Sequence, residues 1–218
     1  MEVFLFNFFD IVMTVITVVI ALTFHECAHG FIAYKLGDPT AKFMGRLTLN
    51  PLKHIDPIGA ICMVLCSFGW AKPVPVDMRK FRNPKRDMAI CAIAGPFTNL
   101  IFGFLGALMY WLIIVIFPSI ALNPNLKYLL SIFGILNIYL AVFNLIPLPP
   151  FDGSRILSSF LPDNLYLKLM SYERQIALAF FLLLFADSRF MGGYISGTLS
   201  NVVYWIFNLF IKLFNLFL

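Results

Sequence analysis

The chain begins with an apolar run from Val3 to Leu36, and set into it is the pentapeptide His25-Glu26-Cys27-Ala28-His29. A helix of about 20 apolar residues spans a bilayer. A run this long with so few charges therefore restricts the fold to one with membrane helices. Ionisable groups at membrane depth are costly and are found where they have a function, so the run poses a question about its three polar side chains. The rest of the chain repeats the constraint. It is 61% hydrophobic and only 12% charged over 218 residues, against about 25% charged in soluble domains. The apolar start contains Asp10 and lacks a basic leading region. It reads as a mature span and not as a removable signal peptide.

Six apolar segments can be marked, at about 3–36, 57–70, 88–118, 127–147, 172–187 and 198–218. The first, third, fourth and last are long enough to cross. Segment 172–187 is borderline, and 57–70 is short and carries Pro57, Gly59 and Gly69, which suits a re-entrant or tilted segment. The expected fold class is an all-α polytopic membrane protein with about five to six hydrophobic segments, forming one domain over residues 1–218. Between Phe43 and Asn50, apolar Phe43, Leu47 and Leu49 alternate with Lys42, Arg46, Thr48 and Asn50. That rough period of two predicts a short β-hairpin or strand pair at the membrane surface after the first helix.

Charge sets the orientation. Loop 71–87 carries Lys72, Arg79, Lys80, Arg82, Lys85 and Arg86, and loop 37–56 carries Lys42, Arg46 and Lys53, whereas 118–126 has no Lys or Arg. The positive-inside rule puts the first two on the cytoplasmic side and the third outside. The net charge of +5 follows from those loops. No Lys/Arg run is interleaved with aromatic residues, so nucleic acid is not an expected partner. Cys27, Cys62, Cys66 and Cys91 lack C-x-x-C spacing and read as packing residues.

On a helix, residues four apart share a face. His25 and His29 can then offer two imidazoles to one metal ion, with Glu26 beside them as general base. A catalytic zinc site takes three protein ligands and keeps one position for water. His54, in a polar loop, reads as a surface or interfacial residue. The carboxylates in apolar context are Asp10, Asp152 and Asp187. Asp152 follows a helix broken at Pro147, in Asn144-Leu145-Ile146-Pro147-Leu148-Pro149-Pro150-Phe151-Asp152-Gly153. Pro147 removes a backbone donor, and Gly153 allows a sharp turn. Pattern alone leaves two readings of Asp152 open, a third metal ligand or a cap on a following helix from Ser154. His25 lies ten residues, about 15 Å of helix, from the basic end at Lys35. Asp152 follows a helix ending on the same side.

Together the two motifs resemble the site-2 protease family of intramembrane zinc metalloproteases, in its compact prokaryotic form. The family pattern pairs H-E-x-x-H with N-x-x-P-x-x-x-x-D-G, matched here by Asn144, Pro147, Asp152 and Gly153. Gly45 to Pro51, Phe68 to Pro73 and Ala94 to Asn99 look similar as well, so the resemblance covers about residues 20–160. It implies His25, His29 and Asp152 as ligands of one Zn²⁺ and Glu26 as the catalytic acid/base, and it implies that Asn144 orients substrate or supports the oxyanion. It further implies a transmembrane protein or peptide as substrate in a plasma membrane, while the basic loops put both halves of the site in the cytoplasmic half of the bilayer. No PDZ-like or CBS-like domain is expected. Gly95-Pro96 reads as a packing irregularity, with Asn99 lining the site. The rival readings are a metal-handling transporter and a non-catalytic membrane-protein binder.

Overall fold

The computed structural model describes residues 8–57, 59, 71–119 and 123–217. Four of its helices are long and apolar enough to cross a membrane. These are α1 (Phe8–Lys35), α3 (Pro84–Ile116), α4 (Pro124–Asn144) and α8 (Tyr194–Phe214), with the short α2 (Thr40–Phe43) between the first two. After α4 come α5 (Asp152–Ser159), α6 (Asp163–Ser171) and α7 (Glu173–Phe190). The last two are bent by 58° at their junction, and count as a fifth span if taken as one. Among the described residues there are thus four to five candidate spans, and the expected five to six are not supported. Residues 58 and 60–70, on which the re-entrant reading rests, lie outside the described residues. The two ends of that segment are neighbours, since Ile55 and Ala71 form an antiparallel bridge and Lys72 N–H donates to His54 O at 2.8 Å.

That isolated bridge is all the β-structure among the described residues, so the expected β-hairpin after the first helix is not formed. Local capping chemistry overrides the period-two pattern. Asp38 accepts from Thr40 N at 2.9 Å and from the Thr40 hydroxyl, which starts α2. Gly45, at φ +62°, turns the chain out of it. Asn50 accepts from Leu52 N at 3.1 Å and starts a 3-10 turn at Pro51–Lys53. Asx-type caps of this kind give the backbone an alternative to a sheet ladder.

Between α3 and α4 the packing depends on small residues. A Cβ on Gly106 would lie 2.6 Å from Gly134 Cα, and one on Gly103 would meet Ile138. Membrane helices gain little from hydrophobic segregation, so close backbone approach and dispersion hold them together. The Phe-rich α8 completes the bundle from inside. Phe207 and Phe214 are buried against Ala107 and Ile138, with Phe104, Tyr110 and Trp111 around them. Buried Asp187 accepts from Ile195 N, Ser196 N and Ser196 Oγ, at 3.0, 3.1 and 3.2 Å. It thus caps the first turn of α8 and is no metal ligand. Asp10 sits in the first turn of α1, where its charge suits the helix dipole.

Candidate metal centre

Helical spacing puts His25 and His29 on the buried face of α1, where α3 crosses it. Asp152 reaches them from the other end of the chain. After α4 stops at Asn144, Gly153 packs onto the carbonyls of Leu145 and Ile146 so closely that any Cβ there would collide with both. The expected sharp turn is thus a close approach, which is why glycine is needed. It folds the chain back and makes Asp152 the first residue of α5. Asp152 Oδ2 then lies 3.2 Å from His25 Nε2 and 3.2 Å from His29 Nε2, and the two Nε2 atoms are 3.0 Å apart. Among the described residues these three form the one group with ligand atoms near enough together to hold a metal ion.

The hydrogen bonds around the triangle define its chemistry. His29 Nδ1 lies 2.8 Å from Cys91 O, a backbone carbonyl that can only accept, so Nδ1 carries the proton. His25 Nδ1 lies 2.6 Å from Asn99 Oδ1. The orientation of that amide follows from its neighbours. Asn137 Nδ2 donates to Phe133 O at 2.9 Å, which leaves Asn137 Oδ1 to accept from Asn99 Nδ2 at 3.0 Å. Asn99 Oδ1 must then accept from His25. With both Nδ1 atoms protonated, two Nε2 lone pairs and a buried carboxylate oxygen face one another, and that oxygen has no hydrogen-bond donor. Three converging acceptors repel unless a cation lies among them. Tetrahedral ligands at about 2.0–2.1 Å from zinc are about 3.3 Å apart, close to the edges observed. The residues present fit a zinc ion.

Glu26 is buried beside them, and its Oε2 accepts from Val74 N–H at 2.7 Å. Val74 belongs to the basic loop 71–87, which here forms a strap over Glu26. The guanidinium of buried Arg46 donates from Nη2 to Lys72 O at 2.7 Å and to Pro73 O at 3.3 Å. Buried Asp38 accepts from Asp77 N at 2.7 Å. Two side chains of opposite charge thus pin the strap on either side of the amide that holds Glu26.

The expected site residues have different fates. His25, Glu26, His29 and Asp152 come together. Asn144, at the end of α4, directs Nδ2 to Leu140 O at 3.0 Å. His54 is buried, not superficial, and its Nε2–H donates to Thr48 O at 2.7 Å. Gly95 was expected to serve packing alone, but a Cβ there would lie 2.6 Å from His25 Nε2 and collide with His29 Nε2. Glycine is what lets α3 approach both imidazoles. Asn137 was not singled out at all. Its one signal is a position seven residues before Asn144, on the same face of α4.

A helical membrane bundle with a buried His₂Asp centre and an adjacent glutamate has the construction of a membrane-embedded metallopeptidase. The model of peptidase family M50 matches residues 112–186, which include Asn144 to Gly153. YwhC of Bacillus subtilis, whose name proposes a zinc metalloprotease, is 41% identical over 192 residues, covering 86% of this chain and 85% of that protein. Rip2 of Mycobacterium tuberculosis, named in the same way, is 27% identical over 202 residues, or 91% of this chain and 74% of its own. MJ0611 of Methanocaldococcus jannaschii, also so named, is 29% identical over 157 residues, 70% of this chain and 72% of its own. No solved structure matches. The chain belongs to peptidase family M50, in agreement with the site-2 protease resemblance of its two motifs.

Proposed function

We propose that this chain is an intramembrane zinc metalloendopeptidase that hydrolyses peptide bonds in or near transmembrane segments of other membrane proteins. One observation carries the reading: two imidazole lone pairs and a donorless carboxylate oxygen meet within 3.2 Å of one another, with Glu26 buried alongside on the same helix. His25, His29 and Asp152 would hold the ion. When bound, zinc supplies Lewis acidity and brings the pKa of a water on it to about 7.

The remaining work falls to the chain. Val74 N–H occupies Glu26 Oε2, which leaves Oε1 as the oxygen that takes a proton from the attacking water and returns it to the leaving amine. Asn144 uses one amide hydrogen on Leu140 O. Its second N–H remains to orient the substrate carbonyl and support its developing charge. The positive-inside rule supports a site in the cytoplasmic half of the membrane, since the basic loops lie at the Lys35 end of α1.

The test is Glu26→Gln in the purified, reconstituted protein with a membrane-protein substrate. Zinc content should remain while cleavage is lost. Full cleavage by that variant with zinc retained overturns the reading.

A further inference from the structure

Two buried asparagines on neighbouring helices, Asn99 of α3 and Asn137 of α4, are fully enclosed, yet neither has a part in the hydrolytic step proposed above. Buried amides are costly unless they are hydrogen-bonded, and these two are bonded in one direction only. The order begins at Phe133 O, an acceptor with no alternative role. It runs through Asn137 and Asn99 and ends at His25 Nδ1. Reversing either amide would set acceptor against acceptor at one link and donor against donor at the next. His29 needs no such relay, because Cys91 O fixes it directly.

We propose that Asn99 and Asn137 are positioning residues that lock His25 in its Nδ1–H form, so that Nε2 always presents a lone pair to the metal. The inference rests on the zinc reading of His25, His29 and Asp152. An isolated amide at position 99 could offer His25 either its oxygen or its NH₂ group. In the second orientation it would favour the tautomer with the proton on Nε2, which cannot bind zinc. Asn137 removes that choice. Its role is thus orientational, and it touches neither the metal nor the imidazole.

Zinc affinity, measured by chelator competition on the full-length protein in detergent, tests this without reference to activity, and far-UV circular dichroism and thermal melting of the metal-free forms check folding. Asn99→Leu should weaken zinc binding about 10- to 100-fold, the usual effect of losing such a partner. Asn137→Leu should weaken it less, by several-fold, and the Asn99→Leu/Asn137→Leu double variant should be no weaker than Asn99→Leu alone. The decisive variant is Asn99→Asp combined with Asn137→Leu. A carboxylate accepts at both oxygens and cannot be misoriented, so it should restore the affinity lost in Asn137→Leu. Wild-type affinity in folded Asn99→Leu, or a deficit in Asn137→Leu that Asn99→Asp does not relieve, overturns the relay. His25→Ala serves as the reference. If it leaves zinc affinity unchanged, the metal-site reading itself has failed.

Discussion

Gly95→Ala asks whether the two imidazoles really are held against the backbone of α3. The added methyl carbon would sit 2.6 Å from His25 Nε2 and from its Cε1, and closer still to His29 Nε2. Ordinary contacts of a Cβ lie at 3.4–4 Å, so the contact with the His25 ring must open by about 0.8 Å and that with the His29 ring by more. Metal–ligand distances are defined to within about 0.2 Å. Rings that retreat this far leave the ligand triangle. If α3 retreats instead, overpacking costs about 1–3 kcal/mol and Asn99, carried on the same helix, loses its register with His25. Both routes weaken zinc binding, by about 100-fold or more, equivalent to about 2.7 kcal/mol. The assay is zinc bound per chain, with the dissociation constant from chelator competition and cleavage measured in parallel. Gly197→Ala is the control, since a Cβ there meets nothing within 4 Å. Stoichiometric zinc at wild-type affinity in Gly95→Ala would refute the reasoning.

Arg46→Met should leave zinc content intact but loosen the strap, because it removes charged hydrogen bonds to Lys72 O and Pro73 O worth about 1.5–3 kcal/mol each. A fall in kcat without loss of zinc is expected; an unchanged kcat would show that the strap does not position Glu26. Asp187→Ala removes the carboxylate that caps α8 and should lower stability by about 0.5–2 kcal/mol, read as an earlier thermal transition with zinc affinity unchanged. A change in zinc affinity there would contradict its placement outside the metal centre.

Where the sequence was legible, the signal was local. The four long apolar segments were expected within a few residues of their helices, since hydrophobicity over about 20 residues needs no tertiary partner to be read. The i, i+4 histidines share a face for the same reason. The 43–50 region failed because its alternation competed with Asp38, Gly45 and Asn50, whose turn-forming side chains and backbone geometry acted first. Gly95 was misjudged because a glycine in a helix looks alike whether it faces another helix or a ligand. Phe207 and Phe214 pack inside the bundle although apolar residues in a membrane helix suit lipid and protein equally well.

The sequence by itself determined that this is a membrane-spanning chain with a helical pair of histidines, a neighbouring glutamate and a proline-broken segment ending in Asp-Gly. Each of those is a property of residues near one another in the chain. Residue pattern left Asp152 open between ligand and cap, and only the family resemblance favoured the ligand; the tertiary structure alone decided how Asp152 reaches the histidines, which tautomers they hold, and why glycine stands at position 95. The partners that fix His25 and His29 lie 74 and 62 residues away, on a helix whose approach depends on packing. Direction in a hydrogen-bond chain is set by its far end, here the carbonyl of Phe133, and no spacing in the sequence records it.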